Sequence, residues 1–293
     1  MNKMRFLPLI LATLLPVTAA VAQATLDRGL RLNTDGSIRI YALAGSVRIV
    51  GWNRDSVAVR GTMGKGNSFH MGGGKTGMKM FVESVNDRDP TPANLEVSVP
   101  LKSKLWVKTA TADIDVSGVT GSLDLYVVSG TIRVAGKPAD VNAEAIDGDI
   151  RIIGSPTWVR AKSASGVVSL KGASADVSLS TVSGGIIVDG GRFERAKFET
   201  VTGNINFAGS FERGGLVNFD THSGTIQLRV PSAVSGDFDV VSIAGGISNK
   251  LTSRKPIPGR YGRGAELVMT SNDGGARIAI RTFKGAVTLV RSN

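Results

Sequence analysis

Val128-Ser-Gly-Thr-Ile-Arg-Val134 and Ile146-Asp-Gly-Asp-Ile-Arg-Ile152 are two copies of the short pattern that decides the fold of this chain. Its glycines, from Gly130 to Gly224, are spaced by 18, 18, 18, 19 and 21 residues. A short fixed period is typical of one structural unit copied along an axis, each copy burying its apolar face against its neighbours. The other copies are Ala164-Ser-Gly-Val-Val-Ser-Leu170, Val182-Ser-Gly-Gly-Ile-Ile-Val188, Val201-Thr-Gly-Asn-Ile-Asn-Phe207 and His222-Ser-Gly-Thr-Ile-Gln-Leu228.

Each repeat contains a second strand-like piece before this pattern, such as Ser122-Leu-Asp-Leu125 or Asp140-Val-Asn-Ala143. Short alternating runs of Val, Ile and Thr, bounded by Gly, Ser and Asp, are typical of strands and turns. We predict an all-β, single-chain β-solenoid, similar to a β-helix. Its ~18-residue coils would form two flat sheets and a corner, stacked in register.

Alternation along each strand assigns the two faces of the predicted sheets. Val141, Ala143, Ile150 and Ile152 are expected to point inward. A third inward column is expected just before the Ser-Gly turn, and the glycine that follows is expected to adopt a conformation that bulkier residues resist. The residues of that column are Val128, Ile146, Ala164, Val182 and Val201.

The period also predicts which outward side chains become neighbours. Asp115, Arg133 and Arg151 are 18 residues apart and are expected to form one ladder. Asp115 beside Arg133 is favourable, whereas Arg151 beside Arg133 places like charges together. Glu144 and Lys162 are also one coil apart and could pair.

The first 24 residues have the pattern of a signal peptide. Lys3 and Arg5 precede an apolar stretch, residues 6–17, and either Ala20-Val-Ala22 or Ala22-Gln-Ala24 offers a small-residue cleavage site. An uncleaved anchor is the alternative, although the stretch is short for a membrane span. The chain has no cysteine, so it cannot be a lipoprotein held by a lipid-bearing cysteine. We expect a periplasmic, secreted or cell-surface protein with no transmembrane segment after cleavage.

The remaining residues, 25–293, are predicted to form a single domain with three parts. Residues 25–100 contain strands that read as a capping meander, together with a Gly-rich loop at 61–79 that is expected to be mobile. Residues 101–230 contain the regular coils. Residues 231–293 contain irregular coils, interrupted by a basic stretch rich in Pro and Gly at 254–264, and the last strands are expected to finish the stack.

Charge points to an anionic partner. The formal net charge is +11, and loss of Lys3 and Arg5 leaves +9. Such a surface favours lipopolysaccharide, anionic lipid or acidic glycan, although the charge could simply keep the protein soluble. Nucleic acid is not expected, because export separates the chain from it and aromatic residues are only 5%.

Three sets of residues suggest possible chemistry. Met71-Gly-Gly-Gly-Lys-Thr76 is similar to a phosphate-binding loop, but Phe69 stands where its first glycine belongs and no helix pattern follows. The two histidines, His70 and His222, are too few for a zinc site and are interpreted as structural. Asp113 and Asp149 share a column about 10 Å apart at the backbone, a spacing that leaves a glycan-cleaving enzyme open.

The repeat, together with Gly45-Ser-Val-Arg-Ile-Val-Gly-Trp52, Leu95-Glu-Val-Ser-Val-Pro100 and Lys284-Gly-Ala-Val-Thr-Leu289, resembles the bacterial putative-adhesin family over residues 30–291. The resemblance implies an exported stacked β-structure without established catalytic residues, so it supplies no site to carry over. The chain departs from the repeat at residues 61–79 and 231–264.

We therefore expect a non-enzymatic envelope protein, with no metal, cofactor or catalytic residue, whose basic β-face binds an anionic surface or glycan. A periplasmic structural or stress-linked scaffold that binds another envelope protein is the alternative, and a glycan-cleaving enzyme is the third hypothesis. The candidate ligand-binding residues are Arg133, Arg151, Arg160, Lys162, Lys65, Lys75 and Lys79.

Overall fold

A computed structural model of the protein describes residues 24–260 and 262–292. The predicted signal peptide therefore lies outside the described residues, apart from Ala24. The all-β prediction is confirmed, because the described chain forms 25 strands that belong to one hydrogen-bonded sheet. Within that part of the chain, no helix is long and apolar enough to cross a bilayer.

The strands are numbered in chain order. The N-terminal strands are β1 (Ala24–Arg31), β2 (Ser37–Ala42), β3 (Gly45–Trp52), β4 (Ser56–Met63), β5 (Ser68–Gly74), β6 (Gly77–Glu83) and β7 (Ala93–Pro100). The repeat strands are β8 (Lys104–Thr109), β9 (Asp113–Ser117), β10 (Ser122–Ser129), β11 (Ile132–Gly136), β12 (Asp140–Asp147), β13 (Ile150–Gly154), β14 (Trp158–Ser163), β15 (Val168–Lys171), β16 (Ser174–Thr181), β17 (Ile186–Thr200), β18 (Ile205–Thr221) and β19 (Ile226–Val230). The C-terminal strands are β20 (Gly236–Ser242), β21 (Ile247–Asn249), β22 (Ile257–Pro258), β23 (Ala265–Ser271), β24 (Arg277–Thr282) and β25 (Val287–Arg291).

The repeat strands form two parallel ladders. In the first ladder β8, β10, β12, β14 and β16 pair in turn, so that Val141 lies beside Leu123 and Val159. In the second ladder β9, β11, β13 and β15 pair in the same way, and Ile132 lies beside Ile114 and Ile150. The predicted eighteen-residue register is therefore confirmed across these strands.

The predicted separation into two flat sheets is wrong. The long strands β17 and β18 each contribute one half to the second ladder and the other half to the first. Because they pass from one ladder to the other without a break, all strands belong to one continuous, nearly closed sheet.

The core lies between the two ladders, and its inward side chains follow the predicted alternation. Ala143 and Ile150, one from each ladder, are fully buried in one apolar cluster. Toward the C-terminal end the small residues give way to phenylalanines. Phe198 stacks on Phe219 with ring centroids 5.0 Å apart, and Phe207 meets Phe219 edge-on at 5.2 Å. Larger side chains fill a wider space there, since protein interiors are close-packed.

The repeat glycines are required for space rather than for an unusual conformation, which corrects the sequence expectation. Among the six pattern glycines only Gly130 has a positive φ, of 152°. A Cβ at Gly148 would overlap the carbonyl oxygen of Gly130, and one at Gly166 would overlap that of Gly148. Successive coils thus approach backbone to backbone at the corner, where only glycine fits.

The predicted third inward column faces outward. Val128 is 40% exposed and Val182 is 54% exposed, whereas the residues one position earlier are buried. Several of those buried residues are Ser or Thr whose hydroxyls bond the backbone of the corner. Thr200, for example, accepts from the Gly203 N–H at 3.0 Å and donates to the Gly184 carbonyl at 3.2 Å. The exposed residues, here called the corner ridge, are Val128, Ile146, Ala164, Val182, Val201, His222, Phe283 and Ile243.

The N-terminal strands are only partly a cap, which corrects the meander prediction. β2 pairs in parallel with β8 and β6, and β3 pairs in parallel with β9 and β7, so residues 37–52 form a layer inside the stack. The antiparallel strands β1, β4 and β5 close this end. Antiparallel cover strands leave fewer unpaired backbone groups at the terminal layer.

The segment 61–79 is not a mobile loop. Residues 68–83 form the β5–β6 hairpin, with Met71 opposite Met80 and Gly74 opposite Gly77. The hairpin forms because Phe69 and Met71 alternate with small and polar residues and pack against the core. Four of the glycines that suggested mobility, Gly72, Gly73, Gly74 and Gly77, lie at or next to its tip.

The C-terminal coils are not stacked in sequence order. β24 pairs with β18 on one side and with β20 on the other, and β25 lies between β19 and β21. The last coil of the chain is therefore inserted into the stack. The end is closed by β23, antiparallel to β20, and by β22, which lies within the predicted interruption and pairs with β23.

Candidate functional site

The predicted basic face does not exist as a single surface. Arg133 and Arg151 lie on the outer face of the second ladder, whereas Arg160 and Lys162 lie on the outer face of the first. The apolar core separates the two faces. The sequence period assigned each residue to an outer face correctly, but the two pieces of each coil point to opposite sides of the stack.

The second ladder carries a row of alternating charge rather than a cationic patch. The predicted ladder Asp115, Arg133, Arg151 is present in register. Arg133 Nη1 lies 3.6 Å from Asp113 Oδ2 and 3.7 Å from Asp115 Oδ1, so its charge is offset. Toward the N-terminal end the row continues, in order, through Arg48, Glu96, Arg60 and Asp27. Exposed pairs of this kind contribute only about 0–1 kcal/mol each, so the row mainly marks the register.

The pair Asp113 and Asp149, considered for glycan cleavage, is occupied by backbone hydrogen bonds to the next coil. Asp113 Oδ1 accepts from the Thr131 N–H at 2.7 Å, and Asp149 Oδ1 accepts from the Val167 N–H at 2.8 Å. Asn204 does the same for Thr225 at 2.8 Å. This repeated use indicates a structural role, in which the side chain satisfies an N–H at the start of the neighbouring strand.

The lysines of the segment 61–79 occupy three different places. Lys79 lies on β6 and faces outward, with Nζ 5.1 Å from the ring centroid of Tyr41 and 5.0 Å from that of Phe81. Lys75 lies at the tip of the β5–β6 hairpin, and Lys65 lies between β4 and β5. Only Lys79 therefore shares the outer face of the first ladder with Arg160 and Lys162. Glu144 and Lys162 are register partners as predicted, but they do not form an ion pair.

The outer face of the first ladder contains a groove of about 610 Å³, here called the aromatic groove. Its aromatic walls are Tyr41, Trp106 and Trp158. Tyr41 and Trp106 meet edge to face, with ring centroids 4.9 Å apart and planes at 69°. The polar lining residues of the groove are Ser37, Arg39, Lys104, Ser122, Asp124, Asp140 and Asn142.

Register explains how this groove is built. Trp106, Asp124, Asn142 and Arg160 form one outward row across four adjacent strands. Trp158 follows Asp140 in the parallel row two residues earlier. The groove was not predicted because Trp106 and Trp158 lie on the first ladder, on the opposite face from Asp113 and Asp149. The sequence does contain the pattern that predicts it. Trp106, Asp124 and Asn142 are spaced by eighteen residues, as are Asp140 and Trp158, so they become neighbours on adjacent strands.

The polar groups of the aromatic groove are ordered but not saturated. Asn142 Nδ2 donates to Asp124 Oδ1 at 3.1 Å, and the Ser122 hydroxyl donates to Asp140 Oδ2 at 3.0 Å. Asn142 Oδ1 is buried and receives no donor from the described residues. The Arg160 guanidinium carbon lies 5.6 Å from the Trp158 ring centroid, so cationic and aromatic surfaces adjoin.

A second groove of about 570 Å³ borders the corner ridge near its C-terminal end. Glu199, Asp220 and Arg281 lie along one wall in register, and His222 stacks on Phe283 with centroids 5.0 Å apart. Burial raises the pKa of Asp220 above its ordinary value, and the neighbouring Glu199 carboxylate adds to that rise. The Asp220 carboxyl group therefore loses its proton less readily than an exposed aspartate does.

Solved structures that resemble this chain include proteins described as adhesins. A putative adhesin from Bacteroides fragilis shares 10% identity at a TM-score of 0.47, covering 93% of this chain and 99% of that one. A putative cell adhesion protein from Clostridium sporogenes shares 8% at 0.23, covering 92% and 100%. A putative lipid binding protein from Parabacteroides distasonis shares 13% at 0.36, covering 92% and 97%.

At these TM-scores neither a family nor a residue role is taken from any of these proteins. No protein-family model matches the chain. No curated protein matches it either.

Proposed function

We propose that this chain is a non-enzymatic, exported envelope protein, a rigid solenoid scaffold that binds an acidic glycan at the aromatic groove in the manner of an adhesin. The observation that carries the proposal is the groove itself, in which three aromatic rings flank a row of carboxylate and amide groups. Among the described residues, no other outer face combines three aromatic rings with a row of carboxylate and amide groups.

The chemistry of the groove suits a carbohydrate. Aromatic rings bury large apolar surfaces, and the C–H faces of a pyranose ring are apolar enough to pack on them. Asp124, Asp140 and Asn142 supply the few placed polar groups that orient a ligand in such a pocket. Strand spacing of about 4.8 Å puts Trp106 and Trp158, three strands apart, about 14 Å from each other along the stack. That span matches a short oligosaccharide.

The charge around the groove favours an acidic glycan. Arg39 and Lys104 line it, and Arg160 adjoins Trp158. The carboxylate lining residues are Asp124 and Asp140, and each accepts a hydrogen bond from a neighbouring side chain. Together with a mature net charge of +9, these cations steer an anionic ligand toward the surface. Lipopolysaccharide and other acidic envelope glycans are the candidate ligands.

A glycan array of the mature chain, followed by calorimetry on the best ligand, tests this proposal. Trp106→Ala is expected to weaken binding about tenfold or more, because one stacking platform is lost. Trp52→Ala is the matched control, since Trp52 lies on the second ladder with Arg54 over its ring. Absence of glycan binding, or equal affinities for both variants, would contradict the proposal.

The non-enzymatic part of the proposal is supported by the structural use of Asp113 and Asp149. Prolonged incubation of the bound glycan with the protein, followed by mass spectrometry, is expected to return the glycan intact. New cleavage products that disappear in an Asp149→Asn variant would establish an enzyme instead.

The corner ridge favours a second function, a scaffold that binds another envelope protein. Ile146, Val182 and Val201 are each 45–54% exposed, and with Ala164 between the first two they form one line along the stack. Linear exposed apolar surface is typical of a protein interface. This function predicts that a pull-down from envelope extract recovers one dominant protein with the wild-type chain. The same protein should not be recovered with Val182→Glu.

A further inference from the structure

We propose that a groove at the C-terminal end of the stack binds an anionic amphiphile, with its apolar chain on an aliphatic and aromatic wall and its acidic head between Arg260 and Arg263. This C-terminal groove has a volume of about 660 Å³. It lies away from the aromatic groove, shares no lining residue with it, and does not depend on the glycan proposal.

The groove is built by a hairpin that packs against the end of the stack. β22 pairs with β23, so that Ile257 lies opposite Glu266 and Pro258 opposite Ala265. The connecting turn is closed by the Gly262 N–H, which donates to the Gly259 carbonyl at 2.9 Å. Gly264 has φ +70°, and a Cβ there would overlap the carbonyl oxygens of Ser242 and Ile243. The turn that carries the two arginines is thus seated directly on the corner of β20.

The wall of the groove is unusually apolar for an exposed surface. Phe283 is 44% exposed, Ile243 is 48% exposed and Val268 is 68% exposed, and all three line it together with Val241. Phe283 and Ile243 are also the last members of the corner ridge. Apolar surface gathered in one concavity provides a place for a hydrocarbon chain to leave water.

The carboxylates of the groove are already committed to neighbours. Arg281 donates to the Asp239 carboxylate and, at 2.6 Å, to the Asp239 carbonyl. Glu266 Oε1 accepts from the backbone N–H of Arg260 at 3.1 Å. Among the described residues, the side chains of Arg260 and Arg263 form no ion pair. The cationic groups left at this wall are therefore two guanidinium groups from one short turn.

The apolar wall and the two arginines of the C-terminal groove together define the ligand class. A free phosphate would use the arginines and leave the apolar wall in water, whereas a neutral lipid would leave the arginines unused. An amphiphile with a phosphate or carboxylate head satisfies both, because guanidinium groups bind planar oxyanions through paired hydrogen bonds. Such a head could belong to a free molecule or to an anionic lipid in a bilayer.

Titration calorimetry with hexyl, octyl and decyl phosphate below their micelle concentrations tests the proposal. Affinity is expected to rise by about an order of magnitude for each step of two buried methylenes. Arg260→Ala/Arg263→Ala is expected to weaken decyl phosphate binding at least tenfold. Arg28→Ala/Arg31→Ala removes the same charge at the opposite end of the stack, on β1, and is expected to leave the affinity unchanged.

Two further measurements complete the test. Decyl maltoside, which has the same chain and a neutral head, is expected to bind far more weakly than decyl phosphate. Flotation with phosphatidylglycerol vesicles then distinguishes the two sources of the acidic head. Protein that floats with the vesicles identifies a bilayer lipid as the ligand, and protein that does not float identifies a free amphiphile. Absence of decyl phosphate binding, loss of the chain-length dependence, or equal effects of the two double variants in folded protein would overturn the proposal.

Discussion

Gly285 stacks directly on Gly224, although all the strands from β19 to β24 separate them in sequence. A Cβ at Gly285 would overlap the Gly224 carbonyl oxygen, and a Cβ at Gly245 would in turn overlap that of Gly285. The Thr282 hydroxyl accepts from the Gly285 N–H at 2.9 Å. The end of the chain is therefore inserted between two earlier coils, and the column of corner glycines passes through it without interruption.

Gly285→Ala is expected to destabilise the protein by about 1–3 kcal/mol, because the added methyl group would force two backbones apart. Urea unfolding of residues 25–293 measures this. Gly246→Ala is the control, since a Cβ at Gly246 meets nothing within 4 Å. Equal stability of the two variants would contradict the stacking of Gly285 on Gly224.

Thr200→Val is expected to cost about 1–3 kcal/mol, because it leaves the Gly203 N–H without its buried acceptor. Thr200 is buried and bridges two coils through its hydroxyl. Thr202→Val, on the exposed side of the same turn, is expected to change the free energy of unfolding by less than about 0.5 kcal/mol. A similar loss for both variants in urea unfolding would show that the buried hydroxyl column is not stabilising.

Asp220→Asn is expected to raise the melting temperature at neutral pH. Burial raises the pKa of Asp220, with Glu199 adding to the rise, so the folded state binds a proton more readily than the unfolded state. The stability linked to that proton is present at acidic pH and is lost as pH rises through the folded pKa. The advantage of the variant should therefore shrink as the pH is lowered, and a pH-independent or negative shift in calorimetry would contradict this.

Arg160→Glu and Arg133→Glu separate the two outer faces of the stack. Arg160 adjoins Trp158 on the first ladder, and its reversal is expected to weaken acidic glycan binding at least several-fold. Arg133 lies on the second ladder between Asp113 and Asp115, and its reversal is expected to leave that binding unchanged. Equal losses in calorimetry would show that the two faces act together.

The regular part of the fold could be predicted because one period fixes many positions at once. The neighbours of Arg133 and the burial of Ile150 follow directly from eighteen-residue spacing and strand alternation. The order of the terminal coils could not be predicted. A short alternating strand such as β2 or β24 pairs equally well with several partners, and the choice is made by long-range contacts that no local pattern encodes.

The corner was misjudged for a different reason. Val128 and Val182 are apolar but exposed, and Thr181 and Thr200 are polar but buried. The polarity of these side chains alone therefore predicts the opposite burial. The hydroxyls are buried because they satisfy the close-packed turns of the backbone. The aromatic groove, by contrast, could have been found from the spacing of Trp106 and Trp158, had aromatic residues been sought on both pieces of each coil.

Tryptophan fluorescence tests the central claim, glycan binding at the aromatic groove, most directly. The chain has three tryptophans, and Trp52→Phe leaves only Trp106 and Trp158, both in the groove. Titration of this variant with an acidic glycan is expected to give a saturable change in emission whose midpoint equals the calorimetric Kd. Calorimetric binding without any change in emission would place the ligand elsewhere and contradict the account.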